Sequence, residues 1–198
     1  MGDLDSFEEP DETLNSFLSS YGVTKEEVLK IKDGDSVKIG DENYSLMKFP
    51  IRKDSNDLEL ALNAAFDLGV RNFVLWGCLG GSRPDHLMVN LLIMVRFAKK
   101  GARMVMTDGT NTYVAVKNGE VKLKPFKGHV GVMAYAEKAL GVTIEGLSYE
   151  AKDIELPAES SLGTSNYFEE GAKKDALIRV DKGTIIVTGN FSPDKLID

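Results

Sequence analysis

Phe73-Val74-Leu75-Trp76-Gly77-Cys78-Leu79-Gly80-Gly81-Ser82-Arg83-Pro84-Asp85-His86 decides the fold. Its first four residues form a short apolar run of the buried-strand type, and a glycine-rich stretch follows at once. From about Asp85 to Lys100 the apolar residues Leu87, Val89, Leu91, Leu92, Met94 and Val95 recur at helical spacing, and Gly101 closes the segment. They occupy much of the helix circumference, which predicts a well-buried helix. Ala102 to Met106 is a second apolar strand. Strand, loop, helix and strand in this order predict a parallel sheet with right-handed crossovers.

Upstream, Asn56 and Glu59 have capping-box spacing, with Asn in place of Ser or Thr. Leu58, Ala61, Leu62, Ala65 and Phe66 then repeat with helical period up to a stop at Gly69. Downstream of Asp108 the texture changes. Tyr113 to Val116, Asn118-Gly119, then Val121 and Leu123 alternating with lysines predict a hairpin. Ala176 to Val180, Asp181-Lys182-Gly183 and Thr184 to Thr188 predict another, with no comparable helical pattern between the two. The expected organisation is therefore an α/β domain over 1–112 and an all-β domain over 113–198. In the first fifty residues, Thr24-Lys25-Glu26-Glu27 reads as a helix start, and Asp33-Gly34 and Gly40-Asp41 as turns.

Composition narrows the function. A chain of 198 residues with 42% hydrophobic and 28% charged residues has the make-up of a folded soluble protein. A formal charge of −7 argues against general nucleic-acid binding, which needs clustered lysine and arginine. One cysteine, Cys78, excludes an internal disulfide and a four-cysteine zinc site. The acidic N-terminus lacks the pattern of a secretory signal. The apolar stretch from Leu87 to Val95 is interrupted by Asn90 and is too short to span a bilayer. The cytoplasm is the expected compartment, with no membrane partner.

Four short segments carry candidate chemistry. Asp3 and Asp5, two residues apart, would point the same way on a strand, where a hard cation such as Mg²⁺ would relieve their repulsion; the plain alternative is a solvated acidic turn. Asp54 and Asp57 stand at a helix start, a place that favours carboxylates anyway. In the loop from Gly77 to His86, glycines let backbone N–H groups approach phosphate oxygens and Arg83 adds a planar cationic fork. Asp85 could cap the helix, hold Arg83 or bind a ribose hydroxyl. The loop is neither a Walker A sequence nor a clean Gly-x-Gly-x-x-Gly. His86 has a structural reading as well as a catalytic one, and Cys78 reads as packing. Ser165-Asn166 alone is a polar turn.

The order Gly2-Asp3-Leu4-Asp5-Ser6, Lys53-Asp54-Ser55-Asn56-Asp57-Leu58-Glu59, Gly80-Gly81-Ser82-Arg83-Pro84-Asp85-His86 and Ser165-Asn166 resembles the thiamine pyrophosphokinase family. The resemblance also takes in Gly146-Leu147-Ser148-Tyr149. It implies a Rossmann-like parallel-sheet catalytic domain followed by a β-sandwich domain, in a homodimer that binds thiamine near the subunit interface. The implied reaction transfers a diphosphate from ATP to the thiamine hydroxyl with Mg²⁺, releasing AMP.

By the same resemblance, Asp3, Asp5 and Asp57 would surround the metal, with Asp54 beside them and Lys53 and Glu59 near the reacting groups. Gly80, Gly81, Ser82, Arg83 and Asp85 would hold the nucleotide. Tyr149, Ser165 and Asn166 would face thiamine, the last two against its aminopyrimidine.

Three departures from the family accompany this. The chain starts inside the first motif, so the strand expected to present Asp3 and Asp5 is missing. Ser82 is inserted before Arg83. The stretch from Asp5 to Asp54 is long enough to hold an extra hairpin. Rival readings are a diphosphokinase for another heterocyclic alcohol such as a pterin, a ligand-binding protein without turnover, and a plain α/β structural protein.

Overall fold

The computed structural model describes Gly34, Ser36–Ile39, Glu42–Ser45 and residues 54–197. Asp3, Asp5, Lys53 and the helix start expected near Thr24 lie outside these residues. The described chain falls into two units, which divide after Asn56.

In the first unit, β1 (Ser36–Ile39) and β2 (Glu42–Ser45) pair antiparallel, with Ser36 opposite Ser45 and Ile39 opposite Glu42. A hairpin thus lies in the long stretch between the first two motifs.

The second unit begins with helix α1 (Asp57–Asp67), strand β3 (Asn72–Trp76), helix α2 (Pro84–Lys99) and strand β4 (Arg103–Thr107). Both helices stop where their sequences predict, and by the same device. The N–H of Val70 bonds to the Ala65 carbonyl and that of Gly69 to Phe66, each at 3.0 Å; Ala102 to Phe97 and Gly101 to Ala98 repeat the pattern. This paired closure satisfies the last helical carbonyls. β3 and β4 run parallel, with Phe73 opposite Met104.

Every other pairing is antiparallel. β5 (Thr112–Leu123) lies beside β4, and β10 (Ala176–Gly189) lies beside β5. β10 is flanked on its other edge by β6 (His129–Ala134) along one half and by β7 (Ala139–Glu145) along the other. β8 (Ala151–Leu156) pairs with β7, β9 (Asn166–Tyr167) with β6, and β11 (Leu196–Ile197) with β5. The result is a mixed α/β unit on a mostly antiparallel sheet, in which β3–β4 is the one parallel pair among the described residues.

Successive residues of a strand face opposite sides of a sheet, and here the two sides belong to different cores. Met104 and Met106 of β4, Ala115 of β5 and Ile186 of β10 join Phe73, Ile93, Met94 and Phe97 under the helices. Their neighbours Val105, Val114, Val116, Ile185 and Val187 join Val130, Val132, Val142, Ile144 and Leu156 in the all-β core. Phe97 meets Phe66 edge-on at 5.6 Å between centroids, and Phe126 meets Phe168 at 5.4 Å. Fully burying a side chain of this size is worth about 1.5–3 kcal/mol, so both cores contribute heavily to folding.

Two sequence expectations need correction. Asn118-Gly119 and Asp181-Lys182-Gly183 are not hairpin turns. They lie opposite each other inside the long β5–β10 ladder, where the register passes from Val180↔Gly119 to Thr184↔Lys117. Asn118 adopts φ 46°, and its Oδ1 accepts the Gly183 N–H at 2.9 Å. A bulge uses the same left-handed residues as a turn, which is why local sequence misleads here. Second, α2 is not buried all round. Ile93, Met94, Phe97 and Ala98 are buried, whereas Met88, Val89 and Leu92 are exposed.

Candidate functional site

Ligands of open α/β sheets gather beyond the carboxyl ends of parallel strands. In this unit that place is where β3 and β4 end. The loop from Gly77 to Arg83 leaves β3 and enters α2, and Gly77, Gly80 and Gly81 take φ of 74°, 83° and 84°. A Cβ on any of the three would meet nothing within 4 Å, so backbone conformation rather than crowding calls for glycine there. Among the described residues, the N–H groups of Gly80, Gly81 and Ser82 donate no hydrogen bond. The three residues are exposed just before a helix N-terminus, where free donors favour anions.

Arg83 and Asp85 form a two-pronged pair, Nε to Oδ1 at 3.0 Å and Nη2 to Oδ2 at 2.6 Å. Of the roles open to Asp85, the structure shows it holding Arg83; α2 has no side-chain cap. The Arg83 guanidinium lowers the Asp85 carboxyl to about 2. Because both side chains are about half exposed, the pair steers the guanidinium more than it stabilises the fold.

Sequence reasoning missed Asn90 as a site residue and saw it only as an interruption. It is buried in α2, and its Nδ2 donates to the Cys78 carbonyl at 3.0 Å, tying the glycine loop to the helix. A polar residue amid an apolar helical run was the available signal. Cys78 itself is half-buried, and burial raises its thiol, consistent with packing rather than nucleophilic work.

The turn between β4 and β5 is also ordered by side chains. The Asp108 carboxylate accepts from the N–H groups of Thr110 and Asn111 and from Asn111 Nδ2, which lowers its protonation range. Trp76, 62% exposed at the end of β3, lies close to Gly109 of that turn.

Asp54 and Asp57 are both exposed, with Asp57 the first residue of α1. Glu59, expected near the reacting groups, makes an ion pair with Arg96 of α2 at 2.5 Å. Among the described residues, no three acidic, histidine or cysteine side chains gather as a metal site.

The second place is a cleft of about 580 Å³ in the all-β part, between the 146–150 turn and the 160–164 loop. Tyr149, Glu150, Ile154, Ser160, Ser161 and Thr164 are among the residues that line it, and Asn166 reaches it from β9. The loop is fixed to β6 by Val132 N–H bonding to the Gly163 carbonyl at 2.9 Å. Tyr149 and Asn166 thus come together. Ser165, in a left-handed conformation at φ 59°, is exposed beside them.

The turn is held from within and by the segment from Asn166 to Glu169. Ser148 N–H bonds to the Tyr167 carbonyl at 2.8 Å, Ser148 Oγ donates to Glu169, and Gly146 N–H bonds to Glu150 at 2.9 Å. The Tyr149 ring meets Tyr167 edge-on at 5.9 Å. No helix among the described residues is long and apolar enough to cross a membrane.

Comparison with known proteins gives these places a context. Residues 1–106 match the family model for the thiamin pyrophosphokinase catalytic domain, and residues 116–185 match that for its vitamin B1 binding domain. The chain is 30% identical over 99 residues to thiamin pyrophosphokinase 1 of Caenorhabditis elegans, across 48% of this chain and 40% of that protein. The crystal structure of thiamine pyrophosphokinase from Bacillus subtilis superposes with a TM-score of 0.64 at 22% identity, covering 71% of this chain and 65% of that one. For the Geobacillus thermodenitrificans enzyme the values are 0.62 and 22%, covering 76% and 68%. At this identity the structural likeness concerns fold. The chain spans two fifths of the curated relative's length.

Proposed function

The chain belongs to the thiamin pyrophosphokinase family, and from that premise we propose that it is a thiamine diphosphokinase. It transfers the terminal diphosphate of ATP to the hydroxyl of thiamine, giving thiamine diphosphate and AMP. The observation that carries this reading is the order of the two family matches along the chain, catalytic then vitamin B1 binding, on a structure with an exposed glycine loop in the first and a cleft in the second. We read β3, its loop, α2 and β4 as a Rossmann-like parallel unit and the strands from β5 onward as a β-sandwich, with the boundary near residue 112.

In this proposal the hydroxyl oxygen of thiamine attacks the β-phosphorus of ATP. The bond from that phosphorus to the oxygen bridging the α-phosphorus breaks, AMP leaves with that oxygen, and the hydroxyl proton passes to solvent. The exposed N–H groups of Gly80, Gly81 and Ser82 hold phosphate oxygens, and Arg83 meets the charge that spreads over the transferred group. Asp85 keeps the guanidinium aimed. Tyr149 and Ser165 face thiamine.

By the family likeness Asp3, Asp5 and Asp57 would hold the metal, with Asp54 beside them, and carboxylate oxygens suit Mg²⁺ chemically. When bound, the ion neutralises charge on the phosphate oxygens. A homodimer in the cytoplasm completes the proposal.

The test is a full-length chain incubated with thiamine, ATP and Mg²⁺, followed by chromatography for thiamine diphosphate and AMP. Equal amounts of the two are expected. Release of ADP, or thiamine binding without AMP, would defeat the reading. Asp57→Asn should lower turnover by at least about 10²-fold, typical for loss of electrostatic stabilisation, with an unchanged circular dichroism spectrum. Wild-type turnover in that variant would remove Asp57 from the metal site.

A further inference from the structure

The family likeness suggests that Asn166 touches the aminopyrimidine of thiamine, but its side chain is otherwise engaged. It is 2% exposed. Oδ1 accepts the Tyr149 N–H and the Tyr167 N–H, each at 3.0 Å, and Nδ2 donates to the Tyr149 carbonyl at 2.8 Å. A carboxamide oxygen has two lone pairs and its nitrogen two hydrogens, so both acceptor positions and one donor position are occupied within the protein. The amide grips Tyr149 by both of its backbone polar groups, as a neighbouring strand would.

Tyr149 therefore has a fixed backbone and an exposed ring. Its side chain is 64% exposed at the lip of the cleft, while Tyr167 braces one edge of the ring. An aromatic ring held this way is suited to stacking on a flat, electron-poor heterocycle, and stacking is strongest when the platform is ordered before the ligand arrives.

We infer that Asn166 is a positioning residue, not a ligand contact: it fixes the Tyr149 ring as the platform on which the heterocycle of the substrate stacks. This rests on the thiamine-binding reading of the cleft.

The experiment is a double-variant cycle on the full-length chain with thiamine as the probe, read by calorimetry. Asn166→Asp retains the acceptor oxygen but replaces the Tyr149-facing donor with a second oxygen. It should weaken thiamine binding about tenfold, the usual scale for a lost hydrogen bond in a pre-ordered site. Tyr149→Ala should weaken binding by a similar or larger factor. In the Tyr149→Ala background, Asn166→Asp should then change affinity by less than about twofold, because its effect runs through the ring. ATP affinity serves as the check that each variant is folded.

Independent, multiplying effects in the double variant would mean that Asn166 meets thiamine itself, and would overturn the inference. So would wild-type affinity in Asn166→Asp. Amide hydrogen exchange at Tyr149 separates this inference from the proposed function. Accelerated exchange in Asn166→Ala, which removes the acceptor of the Tyr149 N–H, in a chain that binds no thiamine even as wild type, would leave the clamp standing and remove the substrate assignment. Unchanged exchange would remove the clamp.

Discussion

The loop at Gly77–Arg83 and the turn at Gly146–Glu150 both depend on glycine at positive φ, yet they are built in opposite ways. A Cβ on Gly80 or Gly81 would meet nothing within 4 Å, and among the described residues the N–H groups of Gly80, Gly81 and Ser82 donate no hydrogen bond. One buried amide, Asn90, holds the loop by a carbonyl at its base. At the 146–150 turn the N–H groups of Gly146, Ser148 and Tyr149 are all engaged, and a Cβ on Gly146 would lie 2.7 Å from the Asp175 carbonyl. The first segment leaves its backbone donors without a partner among the described residues. The second commits its backbone to the fold and offers side chains. A polyanion suits the former, and a flat heterocycle with few acceptors suits the latter.

The sharpest way to break this contrast is to make one substitution in both places. Gly146→Ala combines left-handed strain of about 1–2 kcal/mol with overpacking of about 1–3 kcal/mol. Chemical denaturation should therefore show a loss of about 3 kcal/mol, with thiamine binding lost alongside. Gly81→Ala should cost about 1–2 kcal/mol of strain alone, and should weaken ATP rather than thiamine. Equal stability losses in the two variants would erase the distinction.

Next in size, Arg83→Ala removes a charge-assisted contact worth about 1.5–3 kcal/mol, hence roughly 10- to 100-fold in ATP affinity, with thiamine affinity retained. Isothermal titration with each ligand separately checks it. Should thiamine weaken as much as ATP, the two segments would be serving one ligand.

The smallest effect concerns acid. Asp85 is depressed from 3.8 to about 2, so its pairing with Arg83 is fully present above pH 4 and disappears as pH falls through 2. A carboxyl-carbon NMR titration should give that low midpoint in wild type. In an Arg83→Ala variant it should return toward the ordinary value. A normal midpoint in the wild-type protein would mean that the guanidinium is not held.

How legible was all this beforehand? Both helices, their glycine stops and the strands β3 and β4 follow from spacing, because capping and periodicity are local properties. The antiparallel ladder was misjudged at Asn118 and at Asp181–Gly183, since residues that adopt positive φ serve turns and bulges alike. What decides between them is a strand 65 residues away in sequence, whose Gly183 N–H meets Asn118. The outer side of α2 was expected to be covered because Val89 and Leu92 are apolar, but periodicity reports polarity and not what packs on it.

At the site, the glycines, Arg83, Asp85 and Tyr149 were singled out from motif and resemblance. Asn90 and the grip of Asn166 on Tyr149 were not. An amide that binds backbone and an amide that binds ligand are written with the same letter, and only the partner atoms tell them apart.

The irregularity where β5 faces β10 has a consequence for how this chain tolerates change in length. β10 pairs with β7 before it and β6 after it, and on both long strands the inward-facing set shifts phase there, from Ile178 and Val180 to Ile185 and Val187. At a surface turn, dropping one residue merely tightens a connection. Dropping Lys182 would instead rotate every later side chain of β10 by half a step, sending Ile185 and Val187 toward the helices and Ile186 toward the strands. Homologous chains should therefore keep a constant residue count between Val180 and Thr184 even where the letters differ, and gaps should collect elsewhere.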